Sequence, residues 1–419
     1  MHTDNLLDKR QKTKEINFNN TQKAFQYKSD GSLKKARLLF NIMTITPLVK
    51  LGIRLTPLLI KSGFPFKKLI KNTLFEQFVG GEALEETIPV CNRLGNYKVD
   101  VILDYGIEGG EYEDAICDLR TQEFIEVIRF ASTQRNIPFI SIKITGLTTF
   151  SLLEKINVLI NPTHDLNIFN QRSNIMNLLS HEDKIAWEKL INRLDNICKT
   201  AAGSGIGILI DAEESWVQDS IDLVSHLMMR KFNKHKAIVY NTIQLYRHDR
   251  LQFLENSIED SIKKDYKLAV KLVRGAYLEK ETRRSEELGY TNPLNQRKEA
   301  TDYEYDTSVS ICLKSYNSIA TIIASHNEKS NLQAAEYMYE NQIPVDHPNI
   351  HFSQLYGMSD NLTFNLADAG FNVSKYLPFG KVEDIIPYLM RRAEENSSIA
   401  GQTGRELALI KKECVRRGI

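Results

Sequence analysis

The chain has 419 residues, 42% hydrophobic and 26% charged, with a formal net charge of +1. This is ordinary soluble composition with enough apolar residues for a substantial core, and no Pro/Gly/Ser-rich linker, low-complexity run or internal repeat divides it. Five cysteines, odd in number and far apart, exclude a disulfide framework or a CxxC metal site.

The near-neutral total hides an asymmetry. Residues 1–72 hold 15 Lys/Arg against 4 Asp/Glu, so this arm carries +11 and the remainder −10. The arm shows neither a zinc pattern nor a helix-turn-helix signal and its cations are spread among Leu, Ile and Phe, so no nucleic-acid partner is expected. A lipid surface fits better. The run Leu38 to Ile60 is mostly apolar but interrupted by Lys50, Arg54 and two prolines, which suits an interfacial helix more than a spanning one. Helices packed on the main body, with solvated lysine faces, are an equal reading. Asp4 and Asp8 stand where a signal peptide would be apolar, so export is not expected. The cysteine usage suits a reducing compartment. The arm lacks a clean Arg-rich, acid-free transit sequence, which favours a bacterial cytoplasm with peripheral contact to the inner membrane over a mitochondrial matrix. Residues 1–95 are read as a basic helical extension.

From residue 96 to 419 the pattern changes to alternating short β-branched runs and longer amphipathic stretches, the mark of parallel βα units. Strands are predicted at Val99 to Tyr105, Phe139 to Ile144, Ile206 to Asp211, Ala237 to Gln244, Leu268 to Val273, Ala320 to Ser325, Ile350 to Gln354 and Val373 to Leu377. Several are continuously apolar, as expected when both faces are covered. Eight such units point to an α/β fold, a (βα)8 TIM-type barrel, with residues 150 to 200 as a helical insertion after the second strand. The glycines of Gly203-Ser204-Gly205-Ile206-Gly207 precede a strand rather than follow one, so they read as a helix C-cap and not as a dinucleotide turn.

In a barrel the chemistry sits at the C-terminal ends of the strands. Those ends carry Asp104, Lys143, Asp211 with Glu213, Gln244, Arg274 with Tyr277, His326 with Asn327, Gln354 and Tyr376. Any one of these can be a simple exit to solvent, but eight together suggest a site. Arg391 and Arg392 follow on the last predicted barrel helix. Neighbours about 100° apart on a helix can both reach one ligand from a buried flank, and beside Lys143 they would clamp a carboxylate. Spacing alone equally allows a basic C-terminal turn, with Arg391 paired to Glu395 at i, i+4. His347 and His351 are separated by Pro348 and are not read as a zinc pair. No G-x-S-x-G elbow or phosphate loop is present.

At these strand ends KLVRGAY (271–277), ASHNE (324–328), QLYGM (354–358), YLPFG (376–380) and PYLMRRAEENSS (387–398), with FEQFVGGE (75–82) and LDYGIE (103–108), resemble the proline dehydrogenase family, more its monofunctional, mitochondrial-type branch than its multidomain bacterial fusions. The resemblance implies a distorted barrel with non-covalent FAD that oxidises L-proline to Δ1-pyrroline-5-carboxylate and passes electrons to a membrane quinone. It implies that Lys143, Arg391 and Arg392 grip the substrate carboxylate and that Tyr277, Leu355 and Tyr376 wall its ring. By the same match Asp211 and Lys271 form the active-site polar pair, although bacterial members often carry Arg at the position of Lys271. Ala212, Gln244, Arg274, Gly275, Ala276, Ser325 and His326 would line the flavin, with Lys298 and Glu395 as further candidates. The phenol of Tyr376 favours unsubstituted proline over hydroxyproline.

The chemistry so implied is one of positioning. Moving a hydride from the carbon beside the ring nitrogen to a flavin demands a dry, fixed pocket more than a strong base. A basic group at the flavin's pyrimidine edge, assigned to Arg274, would stabilise its reduced anionic form. Two rival readings are a flavin barrel acting on hydroxyproline or methylenetetrahydrofolate, and a binding scaffold without turnover.

Overall fold

The computed structural model describes residues 16–45, 70–106, 113–160, 172–398 and 402–419, with isolated positions between 47 and 68. Strands β1 (Asp100–Tyr105), β2 (Phe139–Ile142), β3 (Gly207–Ile210), β4 (Val239–Gln244), β5 (Leu268–Val273), β6 (Ile319–Ala324), β7 (Ile350–Leu355) and β8 (Val373–Phe379) follow one another around a closed barrel. Every neighbouring pair is parallel, including β1 with β8, where Ile102 lies opposite Tyr376. The chain is therefore a (βα)8 barrel of TIM type. Ile208, Leu209, Ile210, Ile322 and Ile323 are almost wholly buried, because one face of each strand fills the barrel and the other lies under helices.

Strands β2, β3 and β6 end slightly earlier than the apolar pattern predicts, whereas β7 and β8 run one and two residues longer. Strand β2 stops at Ile142 because Ile144–Gly146 winds into a 3-10 turn, leaving Lys143 in extended geometry between them. Strand β3 stops at Ile210, yet the Asp211 N–H still donates to the Ile142 carbonyl at 2.9 Å. Lys143 and Asp211 thus stand one step beyond the regular ladder, facing the barrel mouth. Period-two alternation decides which side chains face inward. Gln354 falls on the wrong parity for the mouth. It turns outward, accepting from Thr363 at 2.8 Å, so the expectation that every strand end contributes to the site fails at β7 for that residue.

The insertion after β2 contains helices Phe150–Ile160, Arg172–Leu178 and His181–Ser204, the last closed by Gly205 in left-handed geometry (φ 72°), the C-cap expected there. Arg193 binds it to the helix Asp114–Thr133 through Asp118 at 2.7 Å and also donates to the Leu147 carbonyl at 3.0 Å.

The basic arm shares a second hydrophobic core with the end of the chain. Ser29 caps the helix Asp30–Met43, whose Leu33, Ala36, Phe40 and Met43 repeat at helical spacing. That stripe packs with Phe75 and Phe78 against Ile385 and Leu389 of the helix Val382–Ser398 and Leu407 and Ile410 of the helix Gln402–Arg417. The opposite face leaves Leu38 63% exposed and Ile42 41% exposed. Most of the run Leu38 to Ile60 lies outside the described residues.

Candidate active site

Inward-facing positions of five strands bring charges together at the barrel mouth. Lys271 from β5 is bonded to Asp211 at the end of β3. Lys143, just past β2, lies 3.7 Å from the other Asp211 oxygen and 3.9 Å from Asp104 of β1. The Tyr376 hydroxyl of β8 donates to Asp211 at 2.7 Å with Ser141 Oγ 3.3 Å away, and its ring lies 5.2 Å from the Lys271 ammonium.

The electrostatics follow from this packing. Burial alone would raise the Asp211 carboxyl, but the ammoniums of Lys271 and Lys143 outweigh it and hold the group below its ordinary range. Asp104 goes the other way: burial and the Asp211 charge push it up, with Lys143 opposing. Burial and the two carboxylates hold the Tyr376 phenol far above its usual range, so it stays protonated and donates. Asp211 is the ionised centre of the group.

Two further residues, Leu355 and Tyr277, are expected to wall a ring. Leu355 is in register with Tyr376 across β7 and β8. Tyr277 is buried and caps the end of the β5 loop, with the Arg391 guanidinium 5.9 Å from its ring centroid. Arg392 is buried and lies 5.0 Å from the ring of Tyr388 on its own helix.

The residues expected at a flavin occupy the β4, β5 and β6 side of the mouth. Gln244 donates to the Glu213 carbonyl at 2.7 Å and its side-chain oxygen lies 3.4 Å from the Ala276 N–H. Ala212 is nearly buried, whereas Gly275 and Ala276 form an exposed shelf. Gly275 has φ 142°, and a Cβ there would come within 2.5 Å of the Tyr246 ring, so only glycine fits. Arg274 is fixed from three sides by Asp302 at 2.7 Å, Ser325 at 2.8 Å and Ser330 at 2.9 Å, and lies 4.3 Å above the Tyr305 ring. His326 contacts Ser359 Oγ at 2.8 Å through Nδ1. Burial lowers its imidazole to about 3, with Lys375 and Arg392 adding, so the ring is neutral. Lys298 stands apart: it is exposed, bonded to Asp302, and reaches Arg274 only through that carboxylate. The side chain of Glu395 lies outside the described residues.

Two features of the mouth were not visible as such in the sequence. Glu213, two residues beyond Asp211, accepts from the Thr145 hydroxyl at 2.6 Å and the Thr145 N–H at 3.2 Å, so it clamps the turn that follows Lys143. Burial raises its carboxyl to about 7, the Thr145 hydroxyl opposing. Asp302, which anchors Arg274, sits inside an amphipathic helix where it resembles any solvated acid.

The family model for proline dehydrogenase matches residues 88–405. Proline dehydrogenase 1, mitochondrial, of Dictyostelium discoideum is 34% identical over 425 residues, covering 95% of this chain and 74% of the relative. Hydroxyproline dehydrogenase of Xenopus laevis is 29% identical, covering 94% of this chain and 88% of the relative. Among solved structures, proline utilization A from Bdellovibrio bacteriovorus, inactivated by N-propargylglycine, matches with a TM-score of 0.66 at 19% identity over 90% of this chain. This chain spans 38% of that protein's length, and the likeness is one of fold.

Proposed function

The chain belongs to the proline dehydrogenase family, and from that premise we propose that it oxidises L-proline to Δ1-pyrroline-5-carboxylate with FAD as cofactor and a membrane quinone as electron acceptor. The observation that carries this reading is the charge cluster of Lys143, Asp211, Lys271 and Tyr376 at the barrel mouth, with Leu355 in register beside Tyr376.

The residues present fit a flavin. The Gly275-Ala276 shelf offers a surface on which a flat ring can lie, with Gln244, Ser325 and neutral His326 beside it. Arg274 supplies a preorganised positive charge for the pyrimidine edge. FAD, when bound, supplies the two-electron acceptor.

In this reading the chain's own groups bind and orient. Lys143, Arg391 and Arg392 hold the proline carboxylate, because a guanidinium fork matches both carboxylate oxygens. Tyr277, Leu355 and Tyr376 fix the ring plane and exclude water. The Lys271–Asp211–Tyr376 chain locks the floor, so the reacting carbon is presented in one orientation. With its hydroxyl turned to Asp211, Tyr376 takes up the space a ring hydroxyl of the substrate would need, which favours proline over hydroxyproline.

Quinone delivery would place the protein on a bilayer. The exposed Leu38, Ile42 and Ile45 beside Lys34, Lys35 and Arg37 form a face of interfacial character. No helix among the described residues is long and apolar enough to cross a membrane. The compartment proposed is a bacterial cytoplasm at the inner membrane; the mitochondrial names of several relatives make the matrix side of a mitochondrial inner membrane the alternative. Replacing Leu38 and Ile42 together by Gln should weaken liposome binding while sparing turnover with a soluble dye, and equal liposome binding would count against this face.

The function is tested by the absorption spectrum of the purified protein before and after anaerobic L-proline. A flavin spectrum that bleaches with proline supports the reading; a colourless protein, or a yellow one that proline leaves unbleached, contradicts it. Parallel assays with hydroxyproline and methylenetetrahydrofolate decide the substrate.

A further inference from the structure

A second set of buried charges lies on the outer side of β8. Lys375 precedes Tyr376, so strand alternation sends the two side chains to opposite faces, and Lys375 is fully buried under helices. Its ammonium meets Asp360 at 2.9 Å and bonds the Met358 carbonyl. Asp360 also accepts from the Tyr27 hydroxyl at 2.7 Å and lies 3.8 Å from Lys28. Glu406, from the helix Gln402–Arg417, accepts from the Ser359 N–H at 2.9 Å.

Ser359 is the point where this cluster meets the active site. Its backbone is left-handed, φ 50° and ψ 44°, a conformation disfavoured for a residue with a side chain. Residues on both sides hold it there: Asp360 is bound to Lys375, and Gly357 (φ 80°) packs so tightly that a Cβ would lie 2.1 Å from the Gln77 carbonyl. In that turn the serine N–H points to Glu406 and its hydroxyl to Nδ1 of His326.

We infer that Ser359 and Glu406 are positioning residues for His326: the C-terminal helix, through the Glu406 carboxylate, keeps Ser359 in its left-handed turn, and the turn sets the orientation and tautomer of the histidine after β6. The inference rests on the reading that His326 faces the flavin. Tyr27, Lys28 and Glu406 all lie outside residues 88–405, the stretch matched by the family model, and Glu406 reaches His326 through Ser359. A carboxylate needed only to dock the helix could face any donor. This one faces the backbone N–H of a residue whose hydroxyl touches His326.

The test uses the full chain with 15N-labelled histidine, the His326 imidazole signals being assigned by His326→Gln. Wild type should show one neutral tautomer. Ser359→Gly removes the hydroxyl while suiting the left-handed backbone, and should shift the Nδ1 signal. Glu406→Ala should shift it in the same sense and lower kcat/KM for proline about tenfold, the scale on which supporting hydrogen-bond partners act. Glu406→Gln keeps an acceptor for the Ser359 N–H and should restore the wild-type signal and rate. Unchanged His326 signals in Ser359→Gly, or in a folded Glu406→Ala, overturn the inference. Flavin content and absorption left unchanged by His326→Gln would instead remove the flavin reading of His326 and leave the NMR result standing.

Discussion

Two buried clusters in this chain have the same inventory. Lys143, Lys271, Asp104, Asp211 and Tyr376 meet inside the barrel mouth; Lys28, Lys375, Asp360, Glu406 and Tyr27 meet outside β8. Each holds two ammoniums, two carboxylates and a phenol. They differ in what surrounds them. The inner set stands at strand ends facing the barrel mouth, where the proposed function puts the substrate, whereas the outer set is closed over by helices from both ends of the described chain. Buried ion pairs contribute little net stability because desolvation offsets their attraction, so neither cluster is explained by stability alone. What separates the proposed binding site from a brace is position on the strand: Lys375 and Tyr376 are neighbours in sequence and belong to different clusters.

That contrast can be broken by substitution. The largest effect is expected at Lys375→Met, which leaves Asp360 buried without its nearest cation and should cost about 3–5 kcal/mol of unfolding free energy in denaturant titration. A loss below about 1 kcal/mol would show that the outer cluster is not a brace. Arg391→Met and Arg392→Met should do the converse, weakening proline binding by about 2–3 kcal/mol as a charge-assisted contact is lost, with much less effect on unfolding. Unchanged proline KM in both variants refutes the clamp. Tyr376→Phe removes one hydrogen bond to Asp211, should cost about 1 kcal/mol of stability, and should narrow the preference for proline over hydroxyproline in steady-state assays. The smallest effect concerns pH. The Glu213 carboxyl is raised to about 7 in the folded chain, so folding favours its protonated form. Its contribution is complete below the ordinary glutamate range and declines as pH rises through 7. Glu213→Gln should flatten that part of the stability-pH curve, and an unaltered slope would contradict the assignment.

Much of the barrel was legible because each strand is a short apolar run that ends in a polar residue, and those ends meet in space. The prediction erred by a residue or two where a local turn competes with the ladder, as at Ile144, and by face where parity was ignored, as at Gln354. The inner cluster was legible residue by residue, although Asp104 and Glu213 carried no mark beyond their place in the chain. The outer cluster was not legible. Tyr27 lies 333 residues from Asp360, Lys375 looks like a polar interruption of a strand, and Ser359 gives no sign that its backbone is left-handed. Lys298 shows the opposite limit: it lies where the family pattern is matched only loosely, and its side chain is exposed and paired to Asp302.

The central claim is that Lys143, Arg391 and Arg392 act on one carboxylate. It is tested most directly by comparing the affinity of the purified enzyme for L-proline with that for L-prolinamide, which has the same ring and no anion, in wild type and in Arg392→Met. Wild type should prefer proline by a factor on the order of a hundred, and the variant should lose most of that preference by binding proline more weakly while holding prolinamide as before. Equal discrimination in the two proteins would contradict the clamp and the function built on it.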